Sequence, residues 1–125
     1  MRLRLLGFAC VVLSLLCANA NGDTVQFHAW GGSAQVNSYF QWVKQEVERL
    51  HNIDLNHVKL ADTSDAVSRV LAEKAAGNLD NGSVDLIWIN GENFAAMHRH
   101  GLLKSNWVAT LTHFSLTNAT ENPAM

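Results

Sequence analysis

Apolar and polar positions along the chain alternate with two different periods. Beyond the first twenty residues, the most apolar short run is Val84-Asp85-Leu86-Ile87-Trp88-Ile89, with Asn81-Gly82-Ser83 before it and Asn90-Gly91 after it. A short apolar run framed by turn residues predicts a strand buried on both faces, as in a parallel sheet. The polar turn Asn90-Gly91-Glu92-Asn93 then leads into a short helix carrying Phe94, Ala95, Ala96 and Met97 and ended by Gly101. In open α/β sheets, strand-to-helix corners of this kind, at the carboxyl ends of strands, are where ligands sit.

Upstream, Val25, Phe27 and Ala29 alternate with Gln26, His28 and Trp30, which predicts a first strand stopped by Gly31-Gly32-Ser33. Apolar residues at 36, 39, 40, 43, 47 and 50 follow at helical spacing, with Lys44, Gln45, Glu48 and Arg49 opposite. Ser33 is the expected N-cap, because its oxygen can accept an orphan amide of the first turn. His51-Asn52 ends this helix. Residues 55–61 predict a weaker strand whose polar alternates, His57 and Lys59, suit an edge. Asp62-Thr63-Ser64-Asp65 opens a second helix with Val67, Val70, Leu71 and Ala75 facing inward, closed by Gly77-Asn78. The resulting order is βαβαβα, an α/β fold on a parallel sheet with helices in the flanking layers. Past Lys104 the pattern weakens: residues 107–111 suit an extended segment, and residues 112–125 show no period.

Composition changes the picture at the amino end. The chain has 125 residues, 48% of them hydrophobic, and much of that excess lies in residues 1–20. Arg2 and Arg4 precede an apolar run that closes on Ala18-Asn19-Ala20. This is the pattern of a secretory signal peptide, too short in its apolar core for a permanent anchor, with cleavage expected after Ala20. A lipid anchor on Cys17 is the lesser alternative, since Leu15-Leu16 stand where small residues are usual. Cys10 and Cys17 both leave with the leader, so the mature chain is expected to hold no disulfide in an oxidising compartment. It would carry 7 basic and 11 acidic residues, a formal charge of −4. With no basic stripe, nucleic acid and anionic membrane are not expected partners.

The candidate chemistry centres on the two glycine-containing corners. At Trp30-Gly31-Gly32-Ser33 the glycines let backbone approach a ligand, and helix amides point outward. An ordinary tight turn would use the same residues. Neither a dinucleotide fingerprint nor a phosphate-binding loop is present. His98-Arg99-His100 has the wrong spacing for two metal ligands on one helix face, and His28, His51, His57 and His113 are scattered. They are expected at the surface or partly buried, with no metal site. No nucleophile elbow surrounds Ser33 or Ser64, so no catalytic residues and no cofactor are expected. Trp30 and Trp88 could stack on a cation or ring, but Trp88, within the apolar run, is expected in the core and Trp30 as the aromatic wall. Asp62-Thr63-Ser64-Asp65 could offer hydroxyls and carboxylates to a ligand, but is expected as a solvated helix start. Asn81-Gly82-Ser83 and Asn118-Ala119-Thr120 match a glycosylation pattern that matters only in a eukaryotic secretory setting.

The leader, the stretch Val25-Gln26-Phe27-His28-Ala29-Trp30-Gly31-Gly32, the helix over 36–50, and the run from Val84 through Phe94 to Gly101-Leu102-Leu103 together resemble the start of a type II periplasmic solute-binding protein of an ABC importer. Within that family the likeness is to the thiamine, polyamine and ferric-ion cluster, and it extends over residues 1–103. The resemblance implies a partial first lobe over 21–103 with sheet order 2-1-3, a weakly structured end over 104–125, and a chain cut short of the family's second lobe. It implies a non-enzymatic, periplasmic substrate-binding component that delivers its solute to a membrane permease. The ligand-contacting residues would be Trp30, Gly31, Gly32, Ser33, Asn90, Gly91, Glu92 and Asn93. Glu92 would suit a cationic solute such as a polyamine or thiamine. A periplasmic enzyme on a flavodoxin-like sheet and a stand-alone adaptor domain are the alternatives.

Overall fold

The computed structural model describes residues 22–105 and 107–116. The expected leader with Cys10 and Cys17, and residues 117–125 with Asn118-Ala119-Thr120, lie outside the described residues. The fold is α/β: β1 (Thr24–Trp30), α1 (Ala34–His51), β2 (Asp54–Leu60), α2 (Thr63–Ala75), β3 (Leu86–Ile87) and α3 (Gly91–Arg99). The three strands form one parallel sheet in the order β2-β1-β3. β1 pairs along its whole length with β2, from Thr24 opposite Asp54 to Trp30 opposite Leu60. It meets β3 only at Phe27–Leu86 and His28–Ile87.

Side-chain alternation on β1 divides the molecule into layers. Phe27 and Ala29 point to one face, where Phe40 of α1 and Leu55 of β2 complete a buried cluster with Val25, Val36, Val43 and Val47 packed against it. The other face carries His28, with α2 lying across β1 and burying Ala66 and Val67. α3 packs beside α2 and buries Met97.

The helix boundaries follow from local chemistry. Ser33 Oγ accepts the Val36 amide at 3.4 Å, as an N-cap should. α1 ends on Asn52 in the left-handed region, φ 53°, with its amide on the Glu48 carbonyl. Asp62 caps α2 by accepting the Ser64 amide at 2.8 Å. Gly77, at φ 80°, supplies the left-handed residue that turns the chain out of α2.

Several expectations need correction. The run 84–89 is not a strand buried on both faces. Only Leu86 and Ile87 pair, at the sheet edge, and Leu86 stays 45% exposed. The physical reason is at Asp85, whose carboxylate Oδ2 accepts the Gln26 amide at 2.8 Å. A side chain there takes the place of a ladder carbonyl, so regular pairing begins one residue later. Trp88 is exposed rather than core. Of the expected α1 stripe, Tyr39 and Leu50 remain exposed, while Val36, Phe40, Val43 and Val47 pack. Ala75 is exposed at the end of α2, and Ala66 is buried in its stead. His28 is the reverse case, fully enclosed at 3% exposure because it sits mid-strand between two neighbours. Residues 107–111 are not extended: Val108–Thr110 is a 3-10 turn, followed by another at Phe114–Leu116. Among the described residues, no helix is long and apolar enough to cross a membrane.

Candidate functional site

Three parallel strands end on the same side of the sheet, and a cavity of about 320 Å³ opens there. Its lining is Trp30 from the end of β1, Ala61, Asp62 and Thr63 between β2 and α2, and Trp88 and Asn90 between β3 and α3. α1 and α2 leave the strand ends toward opposite faces, the topology that opens a crevice beyond the carboxyl ends of strands.

Each wall is held differently. Trp30 follows directly on the fully paired β1, and its indole lies over Gly32. A Cβ added to Gly32 would stand 2.6 Å from its Cε2 and Cζ2 atoms. Gly31 is equally constrained: a Cβ there would meet Lys59 Cβ at 2.6 Å. The Gly31 amide donates to the Leu60 carbonyl at 3.1 Å, and its own carbonyl accepts Asn37 Nδ2 at 2.9 Å. The glycines therefore set the loop's course and seat Trp30. They do not themselves line the cavity.

Trp88 is anchored through its amide, which donates to the His28 carbonyl at 2.9 Å. Its ring meets Phe40 edge-on at 5.5 Å between centroids, and Phe40 in turn meets Phe27 at 5.0 Å and His57 at 4.8 Å. Edge-to-face pairs in this range are favourable through the ring quadrupoles. Even so, Trp88 is 53% and Trp30 49% exposed. The two half-open indoles belong to adjacent strands.

The third wall brings in the acidic group. Asp62 accepts the Ser64 amide and interacts with the Ser64 side chain, and these contacts hold its carboxyl below the usual aspartate range. It is therefore an anion at neutral pH. Thr63 Oγ1 lies 3.5 Å from the Trp88 carbonyl, bridging the β2 and β3 ends.

The residues expected as ligand contacts divide accordingly. Trp30 and Asn90 line the cavity, while Gly31, Gly32 and Ser33 support it from below. Gly91, Glu92 and Asn93 are the first turn of α3 rather than a loop, with Asn90 as the N-cap residue. Asn90 makes no side-chain cap; its Oδ1 accepts Asn93 Nδ2 at 2.7 Å. Glu92 is exposed outside the cavity lining. Asp62, Thr63 and Trp88, expected as a helix start and a core residue rather than as site residues, and Ala61, which the sequence does not single out, all line the cavity. The signal for three of them was the strand-to-helix corner at the end of β2, equivalent to the two corners chosen.

A second cavity, about 570 Å³, lies toward the other end of β3, between α2 and the residues around Asp80, Gly82, Val84 and Gly101. Its chief acidic group is committed: Glu73 accepts the Ser83 hydroxyl at 2.6 Å and the Ser83 amide at 3.1 Å. These bonds lower its carboxyl from the ordinary 4.5. Among the described residues, no group of three His, Cys, Asp or Glu side chains could hold a metal ion.

The chain is similar to Protein YnjB of Escherichia coli (strain K12), with 46% identity over 95 residues, which is 76% of this chain and 24% of that protein. It thus spans about a quarter of the length of the curated relative it matches. No family model matches the chain, and no solved structure matches it.

Proposed function

We propose that this chain contributes one wall of a small-solute binding site, as part of an extracytoplasmic substrate-binding component that hands its ligand to the permease of an ABC importer. The observation that carries the reading is the cavity at the strand ends, lined by the half-exposed Trp30 and Trp88 and by the polar Asp62, Thr63 and Asn90. Concave sites with aromatic walls and a few placed polar groups are how proteins hold small molecules. The sheet order β2-β1-β3 agrees with a first lobe of the type II binding-protein fold, which the sequence resembles. The cavity is open to solvent on one side. A ligand held between two lobes would be desolvated by the second wall, which the greater length of the relative leaves room for.

Two tryptophans at the site make the test direct. Addition of a panel of polar metabolites to the purified chain is expected to change intrinsic fluorescence. The change should halve or more in Trp30→Phe and in Trp88→Phe, and persist in Trp107→Phe. An unchanged response in both site variants would remove the binding assignment.

A further inference from the structure

We propose that Asn81 is a self-modifying residue: its side chain closes onto the Gly82 amide as a succinimide, which water opens to aspartate and isoaspartate. The fold holds back the other described pair of this kind, Asn90-Gly91. An asparagine followed by glycine is especially open to this reaction, because no Cβ shields the attacking nitrogen. Exposed loop tips of small and polar residues give the backbone the freedom to close the ring. Asn81 and Gly82 meet both conditions. They are exposed and lie in the loop between α2 and β3. Among the described residues, no hydrogen bond takes the Asn81 side chain or the Gly82 amide. Asn90 is exposed as well, but its groups are engaged. Its Oδ1 accepts Asn93 Nδ2 at 2.7 Å, and its carbonyl accepts the Phe94 amide at 2.7 Å at the start of α3. Turning the Gly91 nitrogen onto the Asn90 side chain would undo that first turn, so Asn90 reacts only from a locally opened helix start.

Water is the only co-reactant. The Gly82 nitrogen, having lost its proton to hydroxide, bonds to Asn81 Cγ; the Cγ–Nδ2 bond breaks, and the side-chain nitrogen leaves as ammonia. Hydrolysis of the imide at Cγ gives aspartate. Hydrolysis at the main-chain carbonyl gives isoaspartate, whose backbone runs through Cβ and Cγ. Nothing is oxidised or reduced. The Glu73 carboxylate, whose Oε2 lies 3.1 Å from where a Gly82 Cβ would stand, opposes an anionic nitrogen there. That charge is partly exposed and already shared with the Ser83 hydroxyl and amide, so its effect is small beside the freedom of the two reacting groups. The product alters the entry to β3. Asn78 holds the Asn81 amide at 3.2 Å and its carbonyl at 2.8 Å, and Glu73 holds Ser83. Isoaspartate puts an extra main-chain carbon between these two holds. The segment they fix leads through Asp85, bound to the Gln26 amide, into β3.

The full chain is incubated in mildly alkaline buffer, both native and in urea. Peptide mapping by tandem mass spectrometry then reads the gain of about 1 Da at each asparagine. Asn21-Gly22, whose asparagine lies outside the described residues, is read separately. The native rate at Asn81 is expected within about threefold of its rate in urea, and the native rate at Asn90 about tenfold or more below its own. The isoaspartyl form, separated from the parent by its added charge, should melt below Asn81→Asp, which carries the same charge on an ordinary backbone. A native rate at Asn81 slowed as much as that at Asn90 would overturn the site. Equal melting of the isoaspartyl form and Asn81→Asp would overturn its effect on the entry to β3.

Discussion

The indole of Trp30 rests against Gly32, with room for no side chain between them: a Cβ at Gly32 would lie 2.6 Å from the ring. The pairing makes the glycine a seat for the aromatic wall. Gly32→Ala is expected to leave the secondary structure intact and swing the indole away, because a side chain yields more readily than a strand end. Circular dichroism should be unchanged while the Trp30 indole signal moves. An unmoved signal would mean the ring is not seated there.

Phe40 joins both strands to the site through Phe27, His57 and Trp88. Phe40→Ala should cost about 3–5 kcal/mol, as large-to-small changes of buried aromatic residues do. For a domain of this size that is a large share of the total stability. Urea denaturation gives the measurement; a loss below about 1 kcal/mol would mean that the cluster is not the core.

His28 is buried with no hydrogen-bond partner for Nδ1 among the described residues. A buried polar atom left unpaired costs about 1–3 kcal/mol. His28→Leu, of similar bulk, should therefore raise the thermal midpoint. A lower midpoint would show that Nδ1 is satisfied in solution.

The Glu73–Ser83 contact makes stability depend on acid. Because folding lowers the Glu73 carboxyl below its ordinary 4.5, its contribution is fully present above that pH and is lost as pH falls through the folded value. Glu73→Gln should flatten the acid limb of the stability curve and lower stability at neutral pH. Parallel curves for the two proteins below pH 5 would rule the contact out.

Gly91 opens α3 with nothing within 4 Å of an added Cβ and an ordinary backbone angle. Gly91→Ala should stabilise the chain by about 0.5 kcal/mol, through reduced freedom of the unfolded state. A loss of stability in thermal melts would return this residue to the role of a glycine-requiring turn.

The element order could be read from periodicity because each helix carries its own start signal. Ser33 and Asp62 cap as their chemistry requires, and His57 and Lys59 marked β2 as an edge. What the pattern could not show was lateral position. The run 84–89 is apolar enough for a central strand, yet it occupies an edge, so Leu86 and Trp88 stay about half exposed. Two of the three corners were recognised because glycine marks them. The corner at Asp62-Thr63 has no glycine, and its residues look like any solvated helix start until β2 and β1 are seen to end together. His28 shows the converse problem: a polar residue in an alternating strand looks solvent-facing unless a helix is known to cover that side.

β1 is laced to a neighbour on both sides, whereas β3 is held at two positions only. The two aromatic walls therefore belong to parts of the chain with unequal resistance to local opening. Amides around Phe27 and His28 should be among the last to exchange with deuterium, and those of β3 and Trp88 should exchange sooner. Trp30 therefore stands at the end of the more fully paired strand and Trp88 at the end of the less paired one. A solute bound at these strand ends, as proposed above, would show itself as slowed exchange on the β3 side more than on β1.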